Sequence, residues 1–265
     1  MPCDETYINY IDEENYVETD DYNYIIKEIK SPNNKYITVY CSADIETIKG
    51  SVFLYFDCYD KNLEQGYRYC LSATGWDVNY HSLNKTKITY QEPNVNAYDM
   101  LRRIAEDYGQ ELWFDTKNKV LHIYNKMGSN LGAYYSNEIK LKLLKKYSNT
   151  YDYATVLYPF GKDGLTISNV NNGKNYLENY SYTSKYIQKI WTDETIEVPE
   201  ILKKKATDYL NEISQPKASY QLAVSEIGDN VSIGDEITIV DKIKQIKQTQ
   251  RVVKIIRYPE APEKS

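Results

Sequence analysis

Two stretches of the chain, Asn62–Tyr90 and Asn96–Tyr124, lie over one another at a constant offset of 34 residues without a gap. That register constrains the fold more than any single residue does. Asn62 meets Asn96, Arg68 meets Arg102, Gly75 meets Gly109, Asn84-Lys85 meets Asn118-Lys119, and Tyr90 meets Tyr124. Tyr67/Leu101, Cys70/Ile104, Val78/Leu112 and Tyr80/Phe114 agree in character. In each copy an Asn can cap a helix by accepting from its orphan backbone N–H groups. Apolar residues then recur at helical spacing, as in Ala97, Leu101, Ile104 and Ala105. A glycine follows near the helix end, where a left-handed backbone costs it nothing. Two alternating strands then flank a turn, clearest at Glu111–Phe114, the turn 115–118, and Lys119–Tyr124. Helix–strand–strand twice over predicts a four-stranded sheet covered on one face by two helices. Duplication is the reading adopted; chance agreement in a biased composition is its alternative.

Around that module the chain reads mainly as β. Tyr22–Lys30 and Lys35–Cys41 alternate about Ser31-Pro32-Asn33-Asn34, which predicts a hairpin. Gly128-Ser129-Asn130 reads as a loop. A strand is expected over Tyr153–Phe160, then a tight turn at Gly161-Lys162-Asp163-Gly164, then a strand over Leu165–Ile167 and a turn at residues 171–174. Val198-Pro199 opens a helix, since proline suits a first turn whose N–H has no partner. Its predicted stripe is Ile201, Ala206, Leu210 and Ile213, and it stops at Ser214-Gln215-Pro216. Tyr220–Val224, Glu236–Val240 and Arg251–Ile256 alternate as strands, with a turn over residues 232–235 and an extended Pro259–Pro262 tail. The class predicted is α+β, multidomain and β-rich. The expected regions are 1–43 (end of a first β domain), 44–126 (the duplicated module), 127–216 (a second α+β region) and 217–265 (a terminal β segment of a tube-like domain).

Composition narrows the partners. There are 29 tyrosines against four phenylalanines. Tyrosine combines apolar area with a polar tip and suits half-buried strands and wet protein–protein interfaces, although a codon bias toward Tyr, Asn, Lys and Ile explains the count equally well. The formal charge is −6, and the densest basic stretch, Lys140 to Lys146, reads as a solvated face. Nucleic acid is therefore not an expected partner. Cys3, Cys41, Cys58 and Cys70 form no CxxC pair or zinc spacing, and free thiols are expected. No signal sequence or long apolar run predicts membrane insertion.

The search for chemistry starts from the two histidines. His81 falls at a strand end facing a loop, His122 within a strand, and neither belongs to an HxH or HExxH spacing. A structural or solvent-exposed role is expected for each. Cys70 is expected on a buried helix face, and nothing pairs it with a histidine. Asp107 with Glu111 is one of many acidic pairs and says nothing until their separation is known. The Gly161–Gly164 turn lacks the strand–GxxxxGK[ST]–helix context of a phosphate loop. Trp76, Trp113 and Trp191 could stack on sugars, but core packing is the simpler expectation for each. Because Trp113 follows Leu112 in its strand, one of those two must face away from the covered side. No catalytic, cofactor-binding or metal-binding residue is assigned, and no cofactor is expected.

The order of short segments carries a resemblance. TYDYATVLYPFGKDGLTIS is followed by NGKNYLENYSY, an IW, a Pro-started helix ending in ISQP, then GDEITIVD and QRVVKIIRYPEAPEK. Upstream stand ADIETIKG, the Thr74-Gly75-Trp76 triplet, and NAYDMLRRIAEDYG before ELWFDTKNKVLHIY. The chain resembles, over nearly its whole length, the phage tail hub family, also called prophage tail endopeptidase or phage minor structural protein. The resemblance implies an interlocking β-rich hub, a homotrimeric ring below the tail tube. Its implied contacts are the distal tail protein, the tape-measure protein and tail fibre or tip proteins. It implies a virion tail-tip location after synthesis in the host bacterial cytoplasm. In that family the endopeptidase name usually refers to a separate C-terminal domain, expected to be absent here, and the first β domain is expected to be represented only by its end. A peptidoglycan-cleaving tail protein and a wall-carbohydrate binding module are the rival readings.

Overall fold

The structure, a computed structural model, describes residues 10–33, 36–136, 138, 140–224 and 231–257. It is a mixed α+β chain with several small sheets, and it divides into two compact units. The first comprises Met1–Ser129 with Ile233–Asp235; the second comprises Asn130–Ser232 and Glu236–Ser265.

In the first unit, Tyr16–Glu18 (β1), Asn23–Asn33 (β2) and Tyr36–Ala43 (β3) form an antiparallel sheet. The predicted hairpin is present, but β2 continues through Asn33 instead of turning at Ser31; Asn34 lies outside the described residues. A short helix, Glu46–Lys49 (α1), follows. Val52–Asn62 (β4) then pairs antiparallel with Lys87–Asn96 (β6). Between them lie the helix Leu63–Cys70 (α2) and Asp77–Tyr80 (β5); after β6 come Ala97–Tyr108 (α3), Glu111–Asp115 (β7) and Val120–Tyr124 (β8).

Both helices of the repeat start where the two asparagines require. Asn62 accepts from the Gln65 amide at 2.9 Å while Gln65 Oε1 accepts from the Asn62 amide at 3.0 Å, a reciprocal capping box. Asn96 accepts from the Asp99 amide at 2.8 Å. Gly109 closes α3 at φ 61°, in the left-handed region that favours glycine. The four-stranded sheet does not form. Residues 87–90 belong to β6 and pair with β4, as in Cys58↔Tyr90 and Asn62↔Lys87. β5 instead runs parallel to β8, giving a three-stranded sheet of order β5-β8-β7. The competitor is β4, whose Phe56 and Cys58 are fully buried while Tyr55, Asp57 and Tyr59 beside and between them are exposed. Such alternation gives a strand one apolar face, and β6 supplies its hydrogen-bonding partner.

One core joins α2 and α3 to both β layers, with Leu63, Tyr67, Met100, Leu101, Leu121 and Ile123 almost wholly excluded from water. Each such side chain stabilises the fold by about 1.5–3 kcal/mol relative to exposure. The β1–β3 sheet is tied to the β7–β8 turn. The Asn23 amide donates to the fully buried Thr116 hydroxyl at 2.8 Å, and the Lys117 ammonium donates to the Thr19 and Asp20 carbonyls. Two glycines of this unit cross at van der Waals distance: a Cβ on Gly128 would sit 2.1 Å from the Gly234 carbonyl carbon, so neither position accepts a side chain.

In the second unit, Asn130–Ser136 (β9) pairs parallel with Glu236–Asp241 (β15), which pairs antiparallel with Ile246–Arg251 (β16). The last strand was expected at 251–256; its register is set instead by the Asp241 carboxylate, which accepts from the Ile243 and Lys244 amides and tightens the turn. The Pro259–Pro262 tail lies outside the described residues. Leu141–Asn149 (β10) and Lys217–Val224 (β14) form a separate ribbon. Val156–Phe160 (β11) lies between Leu177–Glu178 (β12) and Gln188–Thr192 (β13). Pro199–Ile213 (α4) packs on β11, burying Leu202, Ala206, Leu210 and Ile213. Leu202, not the half-exposed Ile201, starts the buried stripe. Leu165–Ile167 is not a strand: Ile167 is fully buried in a cluster with Ile196 and Leu202, reached through irregular backbone after a single 3-10 turn at Lys162–Gly164.

Candidate functional site

Alternation within β5, β7 and β8 sorts their side chains onto two faces. Val78, Leu112, Phe114, Leu121 and Ile123 enter or line the helix-covered core. Trp113, His122 and Tyr124 alternate with them on the opposite face, and His81 joins them just beyond β5. The two histidines of the chain meet there. His81 Nε2 and His122 Nδ1 are 2.9 Å apart, with the rings inclined by only 9°. The backbone places them: the His81 amide donates to the Ile123 carbonyl at 2.9 Å, continuing the β5–β8 ladder by one residue. Tyr124 stacks on His81 at a centroid distance of 4.3 Å, and Trp113 lies 4.8 Å from His122. The indole N–H of Trp113 donates to the Tyr22 hydroxyl. Burial, and then the neighbouring His81, hold the His122 pKa below the ordinary histidine value. The sequence placed each histidine correctly along its strand. It gave no sign of their meeting, because parallel strands are joined by no local turn that could announce the register.

The remaining candidates are dispersed. Trp76 is buried in the core with its indole N–H donating to Thr47, and Trp191 is half-buried against Tyr209; only Trp113 faces outward. Cys70 is fully buried on the helix side of the sheet, away from the imidazole face, and burial pushes its thiol well above the usual range. Asp107 accepts from the Tyr90 hydroxyl and Glu111 from the Met127 amide, on different elements. In the Gly161–Gly164 turn Lys162 pairs with Glu197. Among the described residues no three His, Cys, Asp or Glu side chains converge as a metal cluster, and no helix is long and apolar enough to cross a membrane.

The second unit carries a different kind of surface. An open groove of about 410 Å³ is lined by Tyr158, Phe160, Gln188, Lys189 and Ile190 on β11 and β13. Gln188 Nε2 donates to the Tyr158 hydroxyl at 3.1 Å and to the Tyr186 hydroxyl at 2.7 Å, and Tyr176 stands 5.6 Å from the Tyr158 ring. Ile190 is 69% exposed on β13, an edge strand whose only ladder partner among the described residues is β11. Tyrosine around an exposed aliphatic side chain is a composition enriched in protein–protein contacts.

The fold is that of phage tail proteins. The chain is similar to prophage tail protein gp18 of Listeria monocytogenes EGD-e at a TM-score of 0.62 and 13% identity, over 92% of this chain and 74% of that one. It is similar to the 43 kDa tail protein of prophage MuSo2 from Shewanella oneidensis at 0.70 and 14%, over 94% and 78%. It is also similar to a tail protein of Neisseria meningitidis MC58 at 0.60 and 12%, over 86% and 72%. No curated protein sequence matches it. Residues 132–265 match the sequence model of the prophage endopeptidase tail family, and the chain belongs to that family.

Proposed function

We propose that this prophage tail protein is a structural component of the hub at the tail tip. In this reading it assembles as a homotrimer beneath the tail tube and joins the distal tail, tape-measure and tip or fibre proteins. The observation that carries the reading is a tail-protein fold running through both units, over 86–94% of the chain in three comparisons. The tyrosine groove on β11–β13 and the exposed Val52, Leu54 and Tyr55 of β4 are surfaces that fit assembly contacts. The mechanism is then one of burial: half-wet tyrosine and aliphatic faces lose water against neighbouring subunits, with hydroxyls retaining hydrogen bonds. Antibody labelling of induced particles in the electron microscope tests the placement. Label at the tail tip is the expected result; label along the tube, or none on tails, removes the hub assignment.

The family name carries an endopeptidase reading. We place no peptidase activity in this chain, because among the described residues no nucleophilic side chain meets the paired imidazoles and Cys70 lies on the opposite side of the sheet. Release of muropeptides from purified walls above a heat-inactivated control would reverse that position.

A further inference from the structure

We propose that His81 and His122 form a two-imidazole site for a divalent transition cation of the zinc, nickel and copper class. The inference stands apart from the tail assignment and rests on the geometry of the pair. The nitrogens that face each other, His81 Nε2 and His122 Nδ1, are 2.9 Å apart. Metal–imidazole bonds of about 2.0–2.1 Å place two neighbouring ligands roughly 2.9 Å apart at a right angle and about 3.3 Å apart at the tetrahedral angle. The pair therefore already has the spacing of one edge of a coordination polyhedron. To take an ion, the imidazole that donates across the pair shifts its proton to its other ring nitrogen, and each ring turns by roughly 35–45° so that both lone pairs point at one outer position, which breaks the N–H···N hydrogen bond.

The surroundings favour that exchange. The Cα positions are held by the Ile123 carbonyl–His81 amide bond, so the ligands are brought together by the sheet before any ion arrives. Tyr124, stacked on His81, and Trp113, against His122, flank the two imidazoles. His81 is exposed, which leaves the remaining coordination positions to water. Imidazole nitrogen is the donor these ions prefer, whereas magnesium and calcium require oxygen donors that the pair lacks. Asp115 lies within electrostatic reach of His122 and favours positive charge there.

The test uses the full chain without any histidine tag, titrated with zinc, nickel or copper(II) chloride at neutral pH and followed by calorimetry and by tryptophan emission. The expected result is saturation at one ion per chain below about 0.1 mM free metal. Copper and nickel should quench Trp113, and copper(II) resonance should show coupling to two nitrogens. His81→Gln and His122→Gln should each weaken binding at least tenfold. Acidification through the imidazole range should release the ion as the ligands protonate. Both variants alter side chains at the surface and leave the apolar core intact, so circular dichroism and melting confirm that a loss of binding is local. Absence of saturable binding of all three ions, or binding that survives both substitutions, overturns the proposal.

Discussion

Gln110 stands between two tyrosine hydroxyls. Tyr67 donates to its Oε1 at 2.8 Å, and its Nε2 donates to Tyr80 at 3.0 Å. Tyr80 in turn donates to the Asn84 carbonyl at 2.9 Å. Tyr67 is fully buried, so Tyr67→Phe removes a donor and leaves the amide oxygen short of a partner inside the core. The expected loss is about 1–2 kcal/mol, seen as a lower urea midpoint at unchanged m-value; an unshifted midpoint would show that water replaces the hydroxyl at no cost. His122 adds a pH dependence of known sign. Burial and His81 depress its pKa, so the unfolded chain takes up the proton first as pH falls through the ordinary value of 6.5. The unfolded state then binds more protons, and stability declines from neutrality down through the folded-state pKa, levelling below it. His122→Gln should therefore narrow the difference in melting temperature between about pH 7.5 and pH 5. An equal or larger difference in the variant would contradict the assignment. Neither the Gln110 network nor the histidine pair is legible in the sequence: their partners lie 43, 30 and 41 residues away, and polar side chains carry no periodicity.

Elements were legible where their signals are local. The two Asn caps, the left-handed Gly109, the β7–β8 hairpin and the proline at the start of α4 each follow from neighbouring residues, and each is found. Competition between elements was not legible. The second strand of the first repeat copy fits a hairpin by pattern, yet β4 offers it a longer antiparallel ladder, and the longer ladder prevails. On α4 the sequence stripe and the buried stripe differ by one position, since Ile201 and Leu202 are both apolar and only packing separates them. Ile201 is 49% exposed and Leu202 wholly buried beside Ile167 and Ile196. Leu202→Ala is expected to cost about 2–5 kcal/mol by opening a cavity, whereas Ile201→Ala should stay within about 0.5 kcal/mol. Denaturant titration of the two variants settles which face α4 buries, and equal losses would mean that the helix sits rotated from the orientation described.

At the scale of the whole molecule, the α+β class and the tail family followed from an ordered series of short segments, while the pairing of distant strands did not. β9 and β15 lie about 100 residues apart and run parallel, and β10 and β14 are separated by the whole β11–α4 region. Such pairings depend on which apolar faces find one another in three dimensions, and no turn residue marks them. The same reasoning explains why the sequence suggests tyrosine-rich contact surfaces by kind and cannot place them. The structure puts Ile190 on the open edge of β13, inside the tyrosine groove, where it stabilises nothing within the chain in proportion to its size. Ile190→Glu should leave the isolated protein's stability within about 0.5 kcal/mol, because an exposed edge position tolerates charge and loses little burial. In an assembled tail the same position would carry a desolvated, unpaired carboxylate, at a cost of several kcal/mol per subunit interface. Complementation of a prophage lacking the gene should then yield folded protein in the lysate and a sharp fall in complete tails. Normal tail yield from the Ile190→Glu protein would remove the β11–β13 groove from the assembly contacts and leave the exposed face of β4 as the surface to substitute next.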